Sequence, residues 1–358
     1  MLNTFGEALE DAKKENQKIG LLLGNGFSQE CCFVNNFSDQ KSFSYVSLLE
    51  IVSKQNITSS VTVGELFDIL ETKDFEHVLR KLNDAKICQN ITRLFHGRKD
   101  ADFHSVCDHA ISKVRESLID AIRKMHPDHQ YERISKVSYK ACADFIRNFD
   151  RVFTVNYDLL LYWAQMNDKE LSDDFADCFC NKINEKIFFD SKLCANIFSR
   201  KNTLPHPIYY LHGALHLFTQ LEQNEVPYKI TAPQEEGKHL LENIKNEVKK
   251  NCLPLYVSEG EASHKLSVIY NNPYLKRCYD ALLNKMEGVI FTYGISFEHD
   301  EHIINALKGN KRLKKIYLGV YDEKPAYFNK LREKFGKGDE VILYDSRDVY
   351  PWGKGEHS

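Results

Sequence analysis

Short apolar runs that end in polar, often glycine-bearing turns and then give way to helix-period segments constrain this chain more than any other feature. The last third shows the rhythm most regularly: helix over 274–285, strand over 288–293, helix over 300–308, strand over 315–320, helix over 325–335, strand over 340–344. Earlier, 18–23, 151–154, 208–211 and 255–257 read as further short buried strands, and 159–166 as a helix following the second of them. Strands alternating with helices favour a parallel sheet covered on both faces, because right-handed crossovers lay the helices there. The expected class is α/β: a doubly wound, Rossmann-like parallel sheet.

Between 61 and 148 the apolar positions recur almost entirely at helix spacing, as in Leu66, Ile69 and Leu70, then Val78, Leu79 and Leu82, and along 103–125. This predicts a helical insertion or layer, 61–148, within a single domain over 1–358. Residues 1–16 read as an amphipathic helix, 235–250 as a polar helix, 168–205 as an irregular excursion and 353–358 as a frayed tail.

A formal net charge of -3 supplies no basic field to hold a nucleic-acid backbone by counterion release, so no direct nucleic-acid binding is expected. No apolar run approaches the roughly 20 residues that span a bilayer, and the N-terminus lacks an apolar signal core; no membrane association and a cytoplasmic location are the expectations. The ten cysteines are scattered, often inside apolar stretches, which reads as reduced buried thiols. Cys178, Cys180 and Cys194 approach a metal set most closely, but without paired C-x-x-C knuckles they lack the fourth spaced ligand of a tetrahedral site, so no metal is expected.

In a doubly wound sheet the ligand lies beyond the carboxyl ends of the strands, which directs attention to four strand ends. Gly24-Asn25-Gly26-Phe27-Ser28 follows the first: its glycines are either a plain tight turn or a place where backbone N–H groups approach a pyrophosphate, with the Ser28 hydroxyl as a further donor. Thr154-Val155-Asn156-Tyr157-Asp158 follows the second. Asn156 and Asp158 there are either helix-capping residues or an amide and a carboxylate offered to one small polar group, with Tyr157 packed inward. His212-Gly213 ends the third run, where the histidine is either a satisfied half-buried residue or a base suited to neutral pH. Gly294-Ile295-Ser296 ends the fourth.

The order of these four stretches resembles the NAD site of the sirtuin fold, whose pattern is Gly-Ala-Gly-x-Ser, Thr-x-Asn-x-Asp, His-Gly and Gly-x-Ser. The Thr-x-Asn-Tyr-Asp form, the later Tyr-Gly-x-Ser-Phe-x-x-Asp ending at Asp300, and Asp74-Phe75-Glu76-x-Val78-Leu79 are similar to the bacterial sirtuin-like branch found in anti-phage defence. The resemblance implies that NAD is the substrate. It puts Gly24, Asn25, Gly26, Phe27 and Ser28 at the phosphates and neighbouring ribose, and Thr154, Asn156, Tyr157 and Asp158 at the nicotinamide ribose and carboxamide. His212, followed by Gly213, becomes the catalytic base, and Gly294 with Ser296 holds the far side of the dinucleotide. Three departures stand out: Asn25 replaces the small alanine, the zinc knuckles of protein-deacylating sirtuins are absent, and no acyl-lysine groove motif follows.

Those departures favour water over an acyl-lysine as the nucleophile, and so NAD+ glycohydrolysis to ADP-ribose and nicotinamide. The competing functions are an NAD-dependent protein deacylase and a non-catalytic NAD or ADP-ribose sensor acting through oligomer contacts; the choice between NAD and NADP stays open. An unrestrained NAD hydrolase would poison its host, so gated activity is expected, through assembly or a partner; the helices of 61–148 either serve self-association or only cover the sheet. The resemblance adds a ring-forming ATPase of the DNA-translocase type as a candidate partner.

Overall fold

The computed structural model describes residues 2–15, 17–37, 45–72, 75–96, 101–125, 130–183, 186–192, 205–220, 226–231, 239–250, 252–257, 262–298, 300–321, 325–335 and 340–354. Its first half runs α1 (Phe5–Lys14), β1 (Ile19–Leu23), α2 (Asn25–Val34), α3 (Tyr45–Ser53), α4 (Val63–Ile69), α5 (Phe75–His96), α6 (Ala101–Met125), α7 (Gln130–Arg133), α8 (Lys136–Ile146), β2 (Arg151–Thr154), α9 (Leu160–Asn167) and α10 (Lys169–Asp174). It continues with β3 (Phe175–Ala176), β4 (Phe179–Ile183), β5 (Lys186–Phe189), β6 (His206–Tyr210), β7 (Gly213–Gln220), β8 (Tyr228–Ile230), α11 (His239–Lys249) and β9 (Cys252–Tyr256). The last part is α12 (Ala262–Asn271), α13 (Pro273–Asp280) with a π-turn over Ala281–Lys285, β10 (Gly288–Tyr293), α14 (Glu301–Gly309), β11 (Leu313–Val320), α15 (Pro325–Phe335) and β12 (Val341–Asp345).

Seven strands form one sheet in the order β12-β11-β10-β1-β2-β6-β3, every neighbouring pair parallel. The fold is therefore α/β with a doubly wound, Rossmann-like parallel sheet, as the alternation of strands and helices predicts. Every residue of β1 and β10 is buried, which is why they read as unbroken apolar runs: a central parallel strand has no solvent face to mark with polar residues. Chain order reverses at β1, with β2 on one side and β10 on the other, so the crevice beyond their carboxyl ends is the topological switch point.

One face of the sheet is closed by α1, whose Phe5 ring lies 5.7–5.8 Å from Phe145, Phe291 and Tyr344. Thr4 starts that helix through a capping box with Glu7, satisfying donors that a bare helix end would leave open. The segment around Trp352 is bound in too. Trp352 is fully buried, packs 5.0 Å from the Phe27 ring and donates from Nε1 to the Phe27 carbonyl at 2.9 Å. Gly353, expected to begin a frayed tail, instead closes a turn with its N–H on the Tyr350 carbonyl at 3.0 Å; residues 355–358 lie outside the described set.

Several expectations need correcting. The Gly24 turn is the start of helix α2, and α12 was not foreseen at all. Residues 169–183 and 186–189 are not irregular: they carry α10, β3, β4 and β5, while 184–185 and 193–204 lie outside the described residues. A second, antiparallel sheet in the order β4-β5-β8-β7-β9 takes up β4 and β5, and also the strand expected at 255–257. β4 escapes sequence reading because it is short and largely exposed, so no alternation of apolar and polar residues marks it. Cys178 is disulfide-bonded and not a free thiol; it sits at a left-handed turn, φ 68°, between β3 and β4, and pairing depends on where the chain returns in space, which spacing does not reveal. Cys180 is free and exposed. Cys194, Asp74 and residues 235–238 of the expected polar helix lie outside the described residues.

No helix among the described residues is long and apolar enough to cross a membrane. Truncating Trp352 to alanine removes a buried indole, its ring contact and its hydrogen bond at once. A loss of about 3–5 kcal/mol in unfolding free energy is expected, measured by denaturant titration.

Candidate active site

The switch-point crevice is an actual cavity of about 690 Å³, within the range that holds small ligands and cofactors. Its wall is drawn from successive strand ends: His212 after β6, Asn156 and Tyr157 after β2, Asn25 and Gly26 after β1. Gly294 and Ser296 follow β10, Gly319 and Tyr321 lie at the end of β11, and Ser346 follows β12. From β6 to β12 there are five inter-strand steps of about 4.8 Å, so the groove spans roughly 24 Å.

Two loops meet on its floor. Gly26 donates its N–H to the Gly294 carbonyl at 2.8 Å, and Gly24 donates to the Tyr293 carbonyl at 2.9 Å. A Cβ on Gly24 would stand 2.6 Å from the Gly294 carbonyl oxygen, one on Gly26 2.6 Å from the Gly294 Cα, and Gly294 itself has φ +68°. The glycines therefore let two backbones touch, and the Gly24 and Gly26 amides are spent on that junction instead of being free to cradle a phosphate. Asn25, at the first turn of α2, does line the cavity, and its Oδ1 is a buried acceptor with no partner among the described residues.

Behind this floor lies a polar network. Asn156 Nδ2 donates to the Gly24 carbonyl and to Ser28 Oγ, both at 2.9 Å, and Ser28 Oγ donates to Asp158 Oδ2 at 2.5 Å. Asp158 Oδ1 accepts from the Leu160 N–H at 2.9 Å, an Asx turn that leads into α9, whose own N-cap position is Leu159. Ser28 and Asp158 are buried beneath the cavity wall and do not line it, a correction to their placement at the ligand. Phe27 points into the core against Trp352, and Thr154 is buried with Oγ1 accepting from the Asn156 N–H at 3.0 Å; both support the wall from behind. Gly213 is likewise not a ligand contact: at φ +81° any Cβ would fall 1.9 Å from the Leu255 carbonyl oxygen, so glycine is what lets β9 pass beside the His212 turn.

At the β6 end His212 is held by the Val257 N–H, which donates to its carbonyl at 2.8 Å. Its Nε2 lies 2.9 Å from Nε2 of His302 and 3.8 Å from Oδ1 of Asp300. Lys265 Nζ donates to that same Asp300 oxygen at 3.0 Å. Asp300 stands at the N-cap of α14 without capping it, its carboxylate turned toward the cluster instead of the helix. Burial pushes the His212 imidazole down to about 4, with Lys265 adding to the effect and the Asp300 carboxylate and Val155 carbonyl opposing it. Burial and the neighbouring His212 push His302 down to about 3. Burial alone would raise the Asp300 carboxyl, but His212, Lys265 and His302 hold it below its ordinary range.

Glu30 on α2 also lines the cavity. Burial raises its carboxyl to about 8, although Tyr293 Oη donates to Oε2 at 2.7 Å.

Sequence reading located His212, Asn156, Asn25, Gly26, Tyr157, Gly294 and Ser296, all of which line the cavity. It did not assign roles to Lys265, His302, Glu30 or Asp300. Asp300 was visible as the end of the Tyr-Gly-x-Ser-Phe-x-x-Asp stretch, and His302, two residues later, was the signal available. Lys265 had none, since it lies on the helix that was not foreseen.

A family model described as a domain of unknown function, DUF4917, matches residues 21–349. The chain belongs to this family. The match runs from within β1 to beyond β12 of this DUF4917 member and takes in every cavity residue named above. No curated protein matches the chain at a significant level.

Asp158 offers a test of its buried, structural position. Burial lifts its folded pKa from 3.8 to about 6, so the folded state binds the proton more tightly than the unfolded chain. The stability this contributes is full below about pH 3.8 and is lost as pH rises through about 6. Relative to Asp158→Asn, wild type should therefore lose stability between pH 4 and pH 7, measured by denaturant titration at each pH.

Proposed function

We propose that this chain hydrolyses the nicotinamide–ribose bond of NAD+, releasing nicotinamide and ADP-ribose. The observation that carries this reading is the form of the cavity: one long groove across the strand ends of a doubly wound sheet, with an uncharged imidazole beside a carboxylate at one end only. A groove of roughly 24 Å suits an extended dinucleotide, and confinement of the ionisable cluster to the β6 end suits chemistry at one glycosidic bond.

In this reading the nicotinamide ribose lies beside His212. The C1′–N bond breaks with its electron pair leaving on nicotinamide, and water adds to the oxocarbenium-like C1′ while His212 accepts the water proton. Asp300, 3.8 Å from His212 Nε2, stabilises the imidazolium so formed, and Lys265 keeps Asp300 ionised. Asn156 commits both Nδ2 hydrogens to Gly24 and Ser28, which leaves its Oδ1 as the acceptor for a ribose hydroxyl or the water. Asp158, first assigned to the carboxamide, acts through Ser28 to hold Asn156 in place.

Gating by assembly fits the same reading. Ile87 and Ile91 on α5 and Phe103 and Val106 on α6 are exposed, and the Lys86–Asp108 ion pair brings the two groups alongside each other. Turnover per chain that rises with protein concentration is the expected signature.

His212→Ala should lower nicotinamide release from NAD by about 100-fold to 10,000-fold, with the fold verified by circular dichroism. Release by wild type needs no acyl peptide. Because His212 stays uncharged above about pH 4, turnover should fall only as pH drops toward that value. Wild-type rates in the His212 variant would remove the assignment.

A further inference from the structure

We propose that His212, His302 and Asp300 form a binding site for one divalent transition-metal ion of the zinc class, and that filling it switches off the base at His212. The switching clause rests on the NAD reading; the metal site does not.

The two imidazoles face each other through Nε2 atoms 2.9 Å apart, and Asp300 Oδ1 stands 3.8 Å from His212 Nε2. One ligand atom from each of the three residues lies within 4.8 Å of the others. A tetrahedral ion with bonds of about 2.0–2.1 Å separates its ligands by roughly 3.3–3.4 Å, and the two distances bracket that value. The His212–His302 pair would open and the His212–Asp300 pair would close by about half an ångström each around a central ion, with the third pair within 4.8 Å from the start.

A single shared hydrogen reconciles the two facing nitrogens. An ion in its place takes the lone pairs of both rings together with the carboxylate. Two imidazoles and one carboxylate suit zinc, cobalt or nickel and not magnesium or calcium, which prefer all-oxygen shells. His212 and Asp300 line the cavity, so an ion has an entry path and an open position for water. The backbone of His302 is fixed from behind by Tyr279 Oη, which donates to its carbonyl at 3.0 Å.

Lys265 sets the character of the site. Its ammonium already neutralises the Asp300 oxygen that the ion would take, so binding is weaker than in a permanent structural site and reversible. A base that acts through its Nε2 lone pair loses that pair while the ion is bound.

Cobalt(II) titration of the purified full chain, without NAD, tests the site. One equivalent should bind with a visible spectrum of nitrogen and oxygen ligation and no thiolate charge-transfer band, which separates it from the cysteines. His302→Gln and Asp300→Asn, each verified as folded by circular dichroism, should each bind about 100-fold more weakly or worse, since losing even outer partners of a metal ligand costs about 10–100-fold. Lys265→Met should bind more tightly. No stoichiometric binding, a thiolate spectrum, or unchanged affinity in His302→Gln overturns the site. Adding zinc to the nicotinamide-release assay then tests the switch: unchanged release with the site filled overturns the switch alone. No release from metal-free wild type overturns the NAD reading and the switch with it, and leaves the metal site standing on its own titration.

Discussion

Backbone contact between the Gly24–Gly26 loop and Gly294 is the constraint on which the rest of the structure depends. Two parallel strands end side by side, and for the chain to turn outward from both at once the two loops must pass at a separation that no Cβ allows. Glycine at 24, 26 and 294 permits it, and the amides of Gly24 and Gly26 lock it with hydrogen bonds. The cavity floor is therefore main chain, which places its shape under the control of the sheet and not of mobile side chains.

From that floor the polar network extends in one direction. Asn156 reaches under the Gly24 turn, Ser28 links it to Asp158, and Asp158 receives the first amide of α9. A buried carboxylate is costly unless its lone pairs are used, and here Ser28 of α2 and the Leu160 amide of α9 use them. The consequence is an Asn156 side chain with little freedom of rotation, facing the groove with its one uncommitted atom. His212 is held differently, by its main chain against β9 and by its ring against His302 and Asp300. Rigid support on two independent frames is what a site needs when catalytic groups from distant parts of the chain must meet within tenths of an ångström.

Glycine thus has a role here other than the one its position after a strand suggests. The same sequence signal, glycines after β1, serves either a phosphate cradle or a loop junction, and the amide partners decide between them. Gly213 behaves alike: its neighbour His212 lines the cavity, while Gly213 exists to let the Leu255 backbone pass. Ser28 and Asp158, polar and adjacent to a ligand-facing loop, turn inward to bond each other, and Asp158 also takes the Leu160 amide at the start of α9.

The parallel sheet was legible in the chain alone, since buried parallel strands such as β1 and β10 must be continuously apolar and the connecting helices must repeat at their own period. The residues that end those strands were legible for the same reason: the class of fold fixes where a ligand crevice opens. Local pattern carries no information about which segments meet across long separations. The antiparallel sheet, the inward turn of Asp158 and the meeting of His212 with Lys265 and His302, 53 and 90 residues further along, were decided only when the chain closed on itself. Those contacts depend on relative placement of elements, and placement is a property of the packed core and not of any stretch of sequence.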